Sequence, residues 1–412
     1  MKTTAFLDSA IRWLIILLPF SIAIAPAPAN VFMGLLIASF LVKKAIKRER
    51  LFVKTSINYP LLLLFIITCL SVINSVNLRD TLRGGVFRLL QYSFVFMIAA
   101  SEVKNRKHLA KIFIAAACGL ALASIDAIWQ VTSGRDFVRG YPSSIVMGLV
   151  RATASFNDPN ILGVYLSALA PLIFGIALYA HKRPVKIAAA FFSLAALAGI
   201  ALTYSRPTLL ATYAALFFLG IARKNKPLIL ALVAMIIIAP FIAPQSIKDW
   251  AKQVEYNPVR FFCNDDRIAV YRNSLRMIKA HPLLGVGANA FMKSYGKYKE
   301  YPEYRNVVTL DAMQAHNNFL HMAGEIGLTG LSIFLWLLYG LFKGCSDIYR
   351  RLKDEQLRVA LVSLTASLIA FLVNGLTESS LYSSRVAVLF WFLAGLALAL
   401  NNFTDAAKQQ NN

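Results

Sequence analysis

The feature that most constrains this chain is a repetition: apolar runs of membrane length recur from one end to the other. A helix needs roughly 20 apolar residues to cross the hydrocarbon of a bilayer. Twelve stretches approach that length, near 13–29, 30–46, 59–76, 86–101, 109–131, 160–180, 186–204, 207–222, 227–244, 318–342, 359–377 and 384–402. Inside hydrocarbon each backbone N–H and C=O must bond within the protein, so these runs have to be helices. Only 15% of residues are charged, where a soluble domain carries about a quarter. The expected fold is therefore an all-α integral membrane protein with about 12 transmembrane helices.

The net charge of +23 raises nucleic acid as a partner, but its distribution points to membrane topology. Lys43, Lys44, Lys47, Arg48, Arg50 and Lys54 follow the second span. Lys104, Arg106, Lys107 and Lys111 follow the fourth, and Lys182, Arg183 and Lys186 the sixth. Arg223, Lys224 and Lys226 follow the eighth; Lys343, Arg350, Arg351, Lys353 and Arg358 follow the tenth. Basic loops stay cytoplasmic, which sets both termini in the cytoplasm and the intervening loops outside, with no nucleic acid involved. Ala27-Pro28-Ala29 has the small-x-small pattern of a signal-peptide cleavage site; an uncleaved first span is the reading taken here.

The chain divides into residues 1–244 with nine spans, an outward loop over 245–317, and residues 318–412 with three spans and a cytoplasmic tail. The loop is broken by Pro258, Pro282 and Pro302, with Pro244 at its start. "NDDRIAVYRNSLRMIKAHP" reads as a helix, capped by Asn264 or Asp265 and stopped by Pro282. Ile268, Tyr271, Leu275 and Ile278 form an apolar stripe, and Arg272, Arg276 and Lys279 a basic one. Arg267 falls outside the basic stripe, which makes it the arginine of this helix expected to point inward. "HPLLGVGANAF" then forms a turn where Gly285 and Gly287 allow close backbone approach.

Cys69, Cys118, Cys263 and Cys345 are spread over spans and both faces, so neither a disulfide framework nor a zinc site is expected. His316 and His321 are five residues apart and point to different sides of a helix. No metal site and no cofactor is expected.

The short outward loops carry Arg79, Arg83, Arg88, Arg135, Arg139, Arg151, Arg206 and Arg385, and no lysine. Guanidinium groups bind phosphate oxygens in pairs and keep their charge when partly buried. The bias therefore points to an anionic ligand outside, against the plainer reading of headgroup anchors. In "LTYSRPTLL" Arg206 precedes Pro207. Proline favours the first helical position, so the next span starts with its free N–H groups and positive end beside a guanidinium, a phosphate site in composition. In "SFNDPNILG", Asp158, Pro159 and Asn160 read as a helix start with Arg151 upstream. His316 stands at the outer mouth of its span, where a neutral imidazole can take a proton from a hydroxyl; Asn317 or Asn318 can cap the helix that follows. Asp126 is a polar residue inside a span, and His321 with Glu325, four apart, reads as a structural pair.

"FNDPNILGVYLSALAPL", "LTYSRPTLLATYAAL", "DRIAVYRNSLRMIKAHPLLGVGANAF" and "QAHNNFLHMAGEIGLTGLSIFLWLL" occur in this order between Arg151 and Leu338. Together they resemble the O-antigen ligase and polymerase superfamily of bacterial inner-membrane proteins, and the ligases most. The resemblance implies that the large outward loop is periplasmic and that polysaccharide passes from undecaprenyl diphosphate to a sugar of lipid A–core. It implies diphosphate binding by Arg206 and Arg267, with His316 acting at the acceptor hydroxyl; Arg151 and Arg139, of the outward arginine set, are expected to bind the diphosphate beside them. Arg276 and Gly287 also match an arginine–glycine spacing associated with O-antigen polymerases. A polymerase or a protein O-oligosaccharyltransferase therefore stays open. A lipid-linked glycan transporter is disfavoured, because the arginines gather on one side. The partners expected are the lipid-linked polysaccharide, lipid A–core and membrane lipids.

Overall fold

The computed structural model describes residues 2–146, 148–243, 245–263, 265–299 and 312–404. Each of the twelve apolar stretches is helical. In chain order the helices are α1 (Lys2–Ile24), α2 (Pro26–Lys47), α3 (Asn58–Leu70), α4 (Leu78–Asp80), α5 (Phe87–Glu102), α6 (Arg106–Ser133), α7 (Pro159–Tyr179), α8 (Arg183–Leu202) and α9 (Arg206–Ala222). They continue with α10 (Lys226–Ile242), α11 (Gln245–Gln253), α12 (Pro258–Phe262), α13 (Asp265–Ala280), α14 (Phe291–Tyr295), α15 (Asn318–Arg351), α16 (Glu355–Asn374) and α17 (Ser384–Ala399). A π-helical turn, Thr81–Val86, joins α4 to α5. The one sheet among the described residues is the hairpin β1 (Ser144–Val146) and β2 (Leu149–Arg151).

Nine helices among the described residues are long and apolar enough to cross a membrane, and α10 with α11 makes a tenth if that pair, bent by 89°, is one span. Asn58–Asn74 and Arg206–Ala222 are apolar but shorter. The first boundary falls earlier than the apolar pattern places it. Pro26 opens α2, because proline fits the first turn of a helix and not its interior. Ala27-Pro28-Ala29 therefore lies in the first turns of α2.

Ion pairs join one set of helix ends. Lys43 on α2 bonds Asp8 on α1 at 2.7 Å and Glu102 on α5 at 2.6 Å. Arg106 at the start of α6 pairs with Asp354 before α16 at 2.9 Å, and Arg223 after α9 pairs with Glu355. Other bonds join a second set of ends: Asn318 at the start of α15 to Gly375 after α16, Arg151 before α7 to Thr203 before α9, and Arg385 at the start of α17 to Ser155 before α7, so the starts of α7, α9, α15 and α17 share the opposite end. α17 is buried on nearly every side, and an all-round apolar helix is what such a central position requires. Only Leu232 of α10 is buried, which marks that helix as peripheral.

The feature that positions the candidate site is a break in α15 at Ile326 and Gly327. A broken helix leaves backbone groups without partners, which an apolar interior tolerates only when protein supplies them. The stretch after Pro282 does so. Val286 N–H donates to Gly324 O at 2.9 Å, Gly287 N–H to Glu325 O at 3.0 Å, and Leu328 N–H to Pro282 O at 2.8 Å. Gly327 has φ +74°, and a Cβ there would lie 2.0 Å from Leu283 O. The Gly285–Gly287 turn is thus a plug seated in a helix break. On α13 the buried face is Ala269, Val270, Asn273, Ser274, Met277 and Ile278, while Leu275 is exposed. The apolar stripe read from the sequence was rotated, because small polar residues take part in this contact. Asn264, one of the two expected caps of α13, lies outside the described residues, as do residues 300–311 of the long loop and the tail from 405.

Candidate active site

His316 sits just before α15 with φ +47°, a left-handed conformation uncommon for a residue with a side chain. Asn317 caps the helix, its Oδ1 accepting from Phe319 N–H and Leu320 N–H, both at 2.9 Å. Its Nδ2 donates to Leu376 O at 2.8 Å. Asn318 reaches the same neighbour: its N–H donates to Gly375 O at 2.7 Å, and its side chain bonds Ser380 Oγ and Leu381 N–H, each at 2.9 Å. Four bonds from two asparagines thus lock the start of α15 onto the α16–α17 connection. That connection carries Glu378.

Glu378 is 5% exposed. One carboxylate oxygen accepts from Arg267 Nη2, and the other lies 3.5 Å from His316 Nδ1. Tyr271, one turn along α13 from Arg267, donates its hydroxyl to His316 O at 3.1 Å, with Leu376 O at 3.4 Å. Burial, then the neighbouring Cys263 thiol, raise the phenol above its ordinary range, so Tyr271 stays a donor at any physiological pH.

Two further guanidinium groups face this cluster. Arg206 opens α9, donates to Phe261 O, and lies over the rings of Trp250 and Phe261 at 5.0 and 5.3 Å. Arg151 ends β2, its Nε donating to Thr203 O at 2.8 Å and Nη2 to Asn160 Oδ1 at 2.9 Å. Burial lowers the Arg151 guanidinium from its ordinary value; Asp158 and Glu378 act against this, and Arg267 adds to it. Arg267 and Arg151 likewise act on Arg206. Three arginines therefore lie within electrostatic range of one another, offset by the carboxylates of Glu378 and Asp158. Such a surplus of positive charge suits an anion.

Residues 191–335 match the family described as O-antigen ligase. This match supports the O-antigen ligase superfamily for that segment. Members of the family are glycosyltransferase-like membrane enzymes. A comparison with curated proteins found no match. Arg206, Arg267 and His316 lie inside the matched segment, whereas Arg139, Arg151 and Glu378 lie outside it.

The fourth arginine expected at the site stands apart. Arg139 stacks on Tyr141 at 4.4 Å and makes a 3.4 Å contact to Ser155 O. There it neighbours Arg385, which is 5% exposed. Each nitrogen of Arg385 is committed: Nε to Ile22 O at 2.7 Å, Nη1 to Ser155 O at 2.6 Å, and Nη2 to Ala23 O and Ser155 Oγ at 2.9 and 2.7 Å. Asp126 completes this second cluster by accepting from Phe137 N–H at 2.9 Å and Ser155 N–H at 3.1 Å.

His321 and Glu325 form the expected pair at 3.2 Å, and His321 is stacked on Tyr382 at 3.7 Å between ring centres. Glu325 lines a cavity of about 260 Å³ with Arg88, Asn289 and Trp391. That cavity does not contain Arg151, Arg206 or Arg267, and the charged cluster remains the candidate site. Among the described residues no group of three His, Cys, Asp or Glu side chains is placed to hold a metal ion. Sequence reasoning missed Glu378. The available signal was "LTESSL", an acid in a short connection between two apolar helices.

Proposed function

We propose that this chain is an O-antigen ligase, transferring polysaccharide from undecaprenyl diphosphate to a sugar hydroxyl of lipid A–core by inverting glycosyl transfer. The observation that carries the reading is Glu378 bridging Arg267 and His316 beside Arg206 and Arg151. The diphosphate docks against Arg206, Arg267 and Arg151, with Arg139 at greater remove. The acceptor oxygen attacks the anomeric carbon from the side opposite the diphosphate, and the C–O bond to phosphate breaks. His316 takes the hydroxyl proton through Nε2, while the Glu378 carboxylate, 3.5 Å from Nδ1, stabilises the imidazolium that forms, as a carboxylate does for a catalytic histidine. General-base help is worth about 10²–10⁴ in rate. Guanidinium groups neutralise the developing phosphate charge, a task a metal ion performs elsewhere, so transfer should continue in excess chelator.

In this reading the protein has twelve spans in a bacterial inner membrane, both termini in the cytoplasm and the arginine cluster facing the periplasm within residues 245–317 and the neighbouring helix starts. The gathering of lysines at the opposite ends of the helices supports it. The test supplies purified protein with a lipid-linked polysaccharide and lipid A–core. Ligated product should fall at least 100-fold in His316→Ala, on the scale of a lost general base. Equal product from His316→Ala and the parent would remove the site. Chains lengthening on the carrier without lipid A–core would instead identify a polymerase.

A further inference from the structure

The end of the bundle remote from the arginine cluster holds a second charged feature. α1 and the start of α6 enclose a cavity of about 410 Å³, lined by Arg12, Trp13, Ile16, Lys107, His108 and Lys111 among others, with no carboxylate in the lining. The nearby acids are taken: Asp8 pairs with Lys43 at 2.7 Å and Lys47 at 3.2 Å, and Glu102 with Lys43 at 2.6 Å. Arg12 Nε donates only to Asp8 O, the carbonyl one turn back, at 3.1 Å. Lys111 lies 5.5 Å over the Trp13 ring. The start of α6, capped by Asn105 through His108 N–H at 2.7 Å, adds the positive end of a 28-residue helix.

A second observation is independent of these charges. His108 is 4% exposed. Its Nε2 lies 3.3 Å from Arg12 O, to which it donates. Its Nδ1 is shut off from solvent without any hydrogen-bond partner. A buried polar atom left unpaired is costly, and this one belongs to a residue in the wall of the cavity.

The cavity is also two-sided. Trp13 is 54% exposed and, with Ile16, lies farther along α1 than Arg12, toward the middle of the bundle. Tryptophan favours the boundary between headgroups and acyl chains. Lys107 and Lys111 near the start of α6, with Arg12 and Trp13 beside them and Ile16 one turn on, set cations next to apolar side chains, as a phospholipid sets its phosphate next to acyl chains.

We infer that the α1–α6 cavity holds the phosphate of an anionic phospholipid, with acyl chains running past Trp13 and Ile16. A headgroup of net negative charge such as phosphatidylglycerol satisfies the phosphate preference of the three cations. A free phosphate ion shares the charge but makes no use of the apolar flank. The inference does not rest on the function proposed above, since it concerns the other end of the helices.

The test uses full-length protein in micelles carrying brominated lipid, which quenches nearby indoles. The difference between parent and Trp13→Phe isolates the Trp13 signal. Brominated phosphatidylglycerol should quench that signal at several-fold lower mole fraction than brominated phosphatidylcholine. Arg12→Gln, Lys107→Gln and Lys111→Gln together should abolish the preference. Equal quenching by the two lipids in the parent overturns the inference, and this comparison decides even if the triple variant does not fold. Loss of the phosphatidylglycerol signal on adding millimolar inorganic phosphate at constant ionic strength would overturn the lipid assignment in favour of a simple anion site.

Discussion

Two arginine clusters share one end of the bundle and differ in what surrounds them. Arg385 spends all its nitrogens on carbonyl and hydroxyl oxygens from α1 and the stretch before α7, under Phe156 at 3.6 Å. Arg151, Arg206 and Arg267 lie within electrostatic range of one another beside the Glu378 carboxylate. Arginine identity and position at the same end are common to both. Backbone oxygens around one guanidinium, against several guanidinium groups gathered together, separate a structural clamp from a candidate ligand site.

The comparison can be broken by substitution. Arg385→Gln should have the largest effect, leaving buried oxygens without donors at about 1–3 kcal/mol each; it is read as a lowered thermal midpoint. An unchanged midpoint would refute the clamp. Arg206→Ala comes next: transfer should fall about 10²–10³ with the midpoint nearly unmoved, because its protein partners are one carbonyl and two aromatic rings. Loss of fold in place of activity would put Arg206 with Arg385. Glu378→Ala removes the buried carboxylate that Arg267 pairs with, a break that costs roughly 3–5 kcal/mol for a buried pair. Adding Arg267→Ala should recover much of that stability and none of the transfer, a coupling that a double-mutant cycle measures.

Tyr271→Phe should have the smallest effect, about 1 kcal/mol for the lost hydrogen bond. Its phenol is raised in the folded state, so its contribution is complete below the ordinary phenol value near 10 and fades as pH rises beyond it. The Phe variant should therefore flatten the alkaline limb of the stability curve. A limb of unchanged steepness would assign it to other groups.

The sequence by itself determined the helices and the residues that would start them. Apolar length, prolines in the first turn and asparagine caps act over a few residues, and α9 does begin at Arg206 and α15 behind Asn317. It also singled out Arg267 on α13, although the stripe drawn on that helix was turned by small polar residues packing inward. Three things were decided only by the tertiary structure. Glu378 became part of the cluster because two asparagines stitch distant connections together. Arg385 and Arg206 parted roles by the oxygens each met. The break in α15 exists because a loop some forty residues earlier supplies its missing hydrogen bonds. A local pattern records what a segment can form; the charge left over at a site depends on partners contributed from elsewhere in the chain.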